Sequence, residues 1–206
     1  MADYPLPPAP AAEQHPLPPA PVAAGYGEVV TEDPAAHARN APSLFADPLA
    51  WLMAEAAAAA VQDHGADLAA AGDQVGMVTV SETGTLDTMR AIAKATARGR
   101  VSPLKFAGAN PGSLAGLTCI RQGFRGPTLA LSMPPADGAP TAAALAAGWL
   151  ARGSARYVLI GTHRQDGTVH AARCLILRAA PGPGPRTEPD LSRLTAPALL
   201  PQTTNG

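Results

Sequence analysis

Cysteine, aromatic side chains, long apolar runs and any excess of charge are all scarce in this chain of 206 residues. The two cysteines, Cys119 and Cys174, stand far apart, and no basic-then-apolar leader precedes them, which argues against a disulfide scaffold and gives no sign of secretion. The longest apolar run, around Ala56 to Val61, is mostly alanine and far short of the roughly 20 residues that cross a bilayer, so no membrane partner is expected. The formal net charge is −1 with no Lys/Arg cluster, which removes the electrostatic basis for binding nucleic acid. The sequence reads as that of a cytoplasmic protein.

Recognisable ligand motifs are missing as well. His37, His64, His163 and His170 show no HxxxH, CxxC or carboxylate-paired spacing, so no metal and no cofactor is expected. His163 and His170 flank a hairpin tip and face each other across it either as solvated side chains or as a ligand pair, the first being the simpler reading. The glycines of "GANPGSLAG" come with neither a Walker lysine nor a GxGxxG after a strand, and turns and close helix packing explain them. Cys119 is expected in mid-helix and Cys174 in mid-strand, where both read as buried structural thiols.

What is present is alanine, proline and glycine. With 47% hydrophobic residues but only 4% aromatics, the core must be built from small side chains and closely approaching helices. Residues 1–25 hold an 11-residue repeat, "YPLPPAPAAEQ" then "HPLPPAPVAAG", dense enough in proline to exclude helix and sheet interiors. This disordered or polyproline arm is either a PxxP-type ligand or a spacer, and the lack of flanking basic residues favours the spacer. Residues 181–206 are breaker-rich too and read as a flexible tail, leaving residues 26–180 as the folded domain.

Within it, "GEVVTE" (27–32) is a weak strand candidate. Asp47 as N-cap, Pro48 at the first helical position and Gly65 beyond the end bracket a helix over 48–63. "QVGMVTVSE" (74–82) is a buried strand, and Thr85 caps a helix from Leu86 to about Ala97. After an irregular "RVSPLKFAGA", Asn110-Pro111 opens a helix that ends at Gly123. Next come the strand "TLALS", the helix "TAAALAAGWLAR", the strand "RYVLIG", a hairpin tip at Asp166-Gly167 and the strand "AARCLIL". This alternation predicts an α/β domain with a five-stranded, mostly parallel sheet, flanking helices and one antiparallel hairpin at an edge.

The order and wording of residues 75–161 resemble the N-terminal half of a β-ketoacyl synthase of the thiolase-like superfamily. "VGMVTVSETG", "VSPLKFAGANPGSLAG", "IRQGFRGPTLALS" and "GSARYVLIG" match the family's second strand, its Ser-Pro-x-x-Phe segment with an Asn-headed helix, its Gly-Pro and third strand, and its fourth strand. Catalytic members end the third strand in Thr-Ala-Cys-x-x-Gly, where the cysteine carries the acyl chain. Laying "SMPPADG" on that pattern through Gly138 puts Pro135 on the cysteine, in a degenerate turn made of Met133, Pro134, Pro135, Asp137 and Gly138. Complete ketosynthases take two histidines, or a His-Asn pair, from a second half; the recognisable fold here stops near residue 180 and no histidine matches, so no catalytic residue is assigned.

The resemblance implies a chain-length-factor-like, catalytically inactive subunit that pairs with a full-length β-ketoacyl synthase, with acyl carrier protein as a further partner. The pairing edge would be Thr128, Leu129, Ala130, Leu131 and Ser132. Phe106, Asn110 and Met133 would line the acyl tunnel, Phe106 alternatively being a core anchor beneath its loop. Two other readings stand beside this one. One is a repurposed thioester hydrolase or acyltransferase using Cys119 or the hairpin histidines, and the other is a homodimeric module that binds acyl carrier protein.

Overall fold

The structure, a computed structural model, describes residues 21–41, 44–100, 102–180 and 189–200. Most of the proline-rich arm and the first and last parts of the tail therefore lie outside the described residues. The chain runs β1 (Pro21–Thr31), α1 (Pro48–His64), β2 (Val75–Ser81), α2 (Leu86–Thr96), α3 (Pro103–Gly108), α4 (Ser113–Gln122), β3 (Thr128–Leu131), α5 (Pro135–Ala151), β4 (Tyr157–Asp166), β5 (Val169–Ala179) and α6 (Ser192–Thr195). One sheet of five strands, ordered β1-β5-β4-β2-β3, organises it.

Helices cover both faces, so the central strands are buried on both sides. Along β2 and β4 the side chains alternate with the period of two that a pleated strand imposes. Val75, Met77 and Leu159 face α1 and α4, with Cys174 and Ile176 of β5 beside them. Val78, Val80, Val158 and Ile160 face α5 and α6. The alanine content has its use here: Ala56, Ala57 and Ala60 of α1, and Ala139, Ala142 and Ala146 of α5, are fully buried at the helix–sheet contacts. Asp47 Oδ1 accepts from Leu49 N at 2.8 Å to start α1, and Gly65 ends it at φ 71°.

The α/β class and the strand order along the chain agree with the expectation, while the pairing is more evenly mixed than "mostly parallel". β2 pairs in parallel with β3 and β4, and the β4–β5 and β5–β1 pairings are antiparallel. The β4–β5 hairpin is not at an edge, because β1 runs along β5 from Pro21↔Ala179 to Thr31↔His170. β1 thus includes residues 21–25, ahead of Tyr26. The two glycines that weaken β1 as a sequence signal are what allow it to lie under α1: a Cβ on Gly27 would stand 2.2 Å from the Ala56 carbonyl oxygen.

The tail corrects the other boundary. Its described part folds back over the α5 side of the sheet, with Leu194 fully buried. Thr162 Oγ1 donates to the Leu194 carbonyl at 2.7 Å, and the buried Arg173 guanidinium donates to the carbonyls of Ala196 (2.7 Å) and Pro197 (2.8 Å) and to Glu28 (2.8 Å). These anchors are side chains on β4 and β5, which no local pattern in the tail reveals.

Candidate functional site

β3 ends at Leu131 and α5 starts at Pro135, so Ser132, Met133 and Pro134 alone reverse the chain. Pro134 is the N-cap in an extended conformation (φ −56°, ψ 141°), and Pro135 is the first helical residue. Proline costs nothing there, because the N–H it lacks has no partner inside a helix and its ring already holds the helical φ. The helix accordingly begins at Pro135 rather than at Thr141, and Pro140 lies within it. Asp137 N (3.1 Å) and Gly138 N (2.9 Å) both donate to the Pro134 carbonyl. Gly138 is required by packing: a Cβ there would stand 2.3 Å from Val80 Cγ1 and 3.0 Å from Met133 Cγ. The junction is a tight strand-to-helix turn seated on β2, with two prolines at its tip.

Beside it, at the carboxyl ends of β2 and β4, opens a cleft of about 490 Å³. Pro134, Pro135 and Ala136 form one wall, Glu82 and Thr83 a second, and the stretch from His163 to Gly167 a third. Crevices outside the carboxyl ends of parallel strands are where α/β folds bind ligands.

His163 and His170 correct the expectation of a solvated hairpin. His163 Nε2 lies 3.1 Å from His170 Nδ1, the rings stack with centroids 5.3 Å apart, and both residues are buried. His163 Nδ1 lies 3.0 Å from Ser81 Oγ, which in turn accepts from Gly84 N at 2.9 Å. Burial and then the neighbouring His170 push the His163 pKa down to about 4, and burial lowers His170 too. The pair is therefore neutral at pH 7. A hydroxyl buried under its own backbone donor, next to so weak a base, caps a strand end rather than attacking a substrate.

Arg164 and Asp166 of the third wall are also engaged. Arg164 Nε donates to Asp166 at 2.7 Å and Nη1 to the Thr195 carbonyl at 3.1 Å, and the guanidinium holds Asp166 below the usual carboxylate range. Burial raises both thiols, Cys119 to about 11 and Cys174 further, so neither is a thiolate at neutral pH. Among the described residues no three His, Cys, Asp or Glu side chains converge as a metal site, and no helix is long and apolar enough to cross a membrane.

The other sequence candidates fall in two places. Thr128 to Leu131 form β3, an edge strand paired with β2 only, with Thr128, Leu129 and the following Ser132 exposed. Phe106 on α3 is 71% exposed and is not a core anchor. Asn110 is exposed and its Oδ1 accepts from Gly112 N at 2.7 Å, while Met133 packs on the core under α5. Sequence reasoning missed Ser81, Glu82 and Thr83 as neighbours of His163, because an 82-residue separation hides a contact made through parallel pairing of β2 with β4.

The sequence profile of the β-ketoacyl synthase N-terminal domain matches residues 22–175. The chain belongs to that family. Solved structures share the fold at low identity. The ishigamide ketosynthase/chain length factor matches at TM-score 0.60 and 15% identity over 78% of this chain and 62% of that one. A ketosynthase in complex with its chain length factor from Xenorhabdus doucetiae matches at 0.55 and 15% over 78% and 79%. A type II polyketide acyl-carrier protein in complex with its ketosynthase bound to the hexaketide matches at 0.63 and 15% over 79% and 63%. The match thus spans about three fifths of the ishigamide and hexaketide-bound chains. No curated protein sequence matches the chain.

Proposed function

We propose that this chain is a catalytically silent, chain-length-factor-like subunit that pairs with an active β-ketoacyl synthase in a type II polyketide, polyene or fatty-acid-like pathway, stabilises it and shapes its acyl tunnel. Pro135 carries the reading. Laid on Thr-Ala-Cys-x-x-Gly through Gly138, it takes the cysteine's place. Its ring offers no nucleophile and its nitrogen no hydrogen, so the position supports neither a thioester nor an oxyanion contact.

Three further observations support it. The two thiols of the chain are buried and protonated, so neither supplies a substitute thiolate. β3 is a short edge with half-exposed apolar side chains, and an edge of this kind favours strand pairing with a partner. Among proteins of this fold, the Xenorhabdus doucetiae structure is of a ketosynthase with its chain length factor. Phe106, Asn110 and Met133 are the tunnel-lining residues of this reading, and an acyl carrier protein is the second partner.

The test is co-expression with a full-length ketosynthase encoded beside this chain, then incubation of the purified material with an acyl thioester and intact-mass measurement. Co-elution at 1:1, with the acyl adduct on the ketosynthase alone, is expected. Separate elution with unaltered ketosynthase activity, or an adduct on this chain, overturns the reading.

A further inference from the structure

The sequence from Thr88 to Ala136 contains no aspartate or glutamate, yet it carries seven of the chain's 15 Lys and Arg residues. Their spacing, never fewer than two residues apart, hides this as a cluster in the sequence; the fold collects them. Arg90, Lys94 and Arg98 follow one another at intervals of four, so they lie along one side of α2 and its C-terminal extension. Arg100 and Lys105 continue the charge into α3. Arg90 meets Asp87 at 3.1 Å, whereas among the described residues no carboxylate lies within 4 Å of Lys94, Arg98 or Arg100.

The same lobe exposes apolar side chains. Only Thr88 of α2 is buried, leaving Leu86 and Met89 exposed, and Leu104 and Phe106 of α3 are exposed beside them. A helix folded on its own core buries its apolar side, and a helix standing in water balances its charges with i,i+4 pairs of opposite sign. α2 leaves Leu86 and Met89 exposed and balances only Arg90, through Asp87, so most of its surface is in the state of a helix awaiting a partner.

Resting on the proposed pairing through β3, we infer that the α2–α3 lobe selects that partner: it fits a protein surface bearing carboxylates around apolar sockets and rejects a second copy of this chain. The lobe leaves the carboxyl end of β2, which runs parallel to and beside β3, so it stands at the carboxyl end of that edge. Two β3 edges that pair across a two-fold axis run antiparallel, which sets the lobe at the carboxyl end of one beside the amino end of the other. In a self-pair that neighbour holds exposed Arg121, at the end of α4 ahead of β3, and the Arg125–Asp73 pair whose charges offset each other, so its net charge is again positive. Like charges facing across a desolvated contact are an effective device against the wrong partner, and an acidic surface turns the same charges to attraction.

The experiment compares the wild-type chain with the triple variant Arg90→Glu/Lys94→Glu/Arg98→Glu, whose exposed sites leave the thermal midpoint unchanged. Light scattering at 100 mM NaCl is expected to show the wild type alone as a monomer and the triple variant, whose acidic lobe then meets Arg121 at both contacts, as a self-pair that dissociates at 500 mM NaCl. With the co-expressed ketosynthase, the triple variant is expected to bind at least tenfold more weakly than wild type. A wild-type homodimer at 100 mM NaCl, or ketosynthase binding indifferent to the reversal, overturns the inference and leaves the proposed function standing. No ketosynthase complex with either protein overturns both. Co-sedimentation of the wild-type chain, but not the triple variant, with phosphatidylglycerol vesicles would assign the lobe to a lipid surface and overturn the inference too.

Discussion

His163 Nε2 and His170 Nδ1 stand 3.1 Å apart with their rings stacked, and His163 is also joined to Ser81 at the tip of β2. Two neutral imidazoles thus tie the end of a parallel strand to the hairpin that forms one wall of the cleft. Protonating His163 places a charge where burial and the second ring oppose it.

Stability therefore falls with acidification. An unfolded histidine takes its proton near pH 6.5, while folded His163 resists until about pH 4. Above pH 6.5 both states are neutral and nothing is lost; between pH 6.5 and 4 the unfolded chain binds protons that the folded one refuses, and stability declines by on the order of 3 kcal/mol. Urea midpoints measured from pH 7.5 to 4.5 are expected to drop more steeply for the wild type than for His163→Gln. Parallel curves would rule out this linkage.

The two glycines of α5 respond oppositely to alanine. Gly138→Ala pushes a methyl into Val80 and lifts α5 from β2, costing about 1–3 kcal/mol. At Gly148 the nearest atom to the new Cβ is Arg152 Nη1 at 3.1 Å, the end of a flexible and exposed side chain. Gly148→Ala is expected to gain about 0.5–1 kcal/mol from helix propensity. Thermal melts of both variants decide it.

Arg173→Met strips the carbonyls of Ala196 and Pro197 and the Glu28 carboxylate of their donor. A loss of about 2–4 kcal/mol is expected from breaking this buried cluster. Trypsin cleavage at Arg193 should accelerate in step with it; unchanged cleavage means the tail is held by other contacts.

Phe106→Ala, on a side chain that supports nothing in its own chain, is expected to leave the thermal midpoint within about 0.5 kcal/mol of wild type. In the ketosynthase complex it is expected to lengthen the product. Identical product lengths would remove Phe106 from the tunnel wall.

Much of the fold was legible because its signals are local. Asp47-Pro48 with Gly65 and the β-branched run of β2 each state their structure within a few residues, and the hairpin tip falls at Gly167-Thr168, one residue beyond the expected Asp166-Gly167. β1 was half hidden, since Gly25 and Gly27 lower strand propensity for the sake of contact with α1, a reason visible only in three dimensions. The segment 189–200 is unreadable in the sequence because what holds it is Arg173 and Thr162, distant along the chain. At the site, Pro135 and Gly138 were legible through the turn they share, whereas the Ser81–His163–His170 chain depends on strand order. The basic lobe is not legible in the sequence because whole-chain charge is near zero and only its distribution is uneven.

The measurement that tests the central account most directly is the mass in solution of the co-expressed ketosynthase complex, taken with the wild-type chain and with Leu129→Asp on the exposed edge of β3. A 1:1 complex with the wild type, and separate elution of two folded proteins with the variant, is the predicted result. A complex that survives Leu129→Asp, or no complex with the wild type, contradicts it.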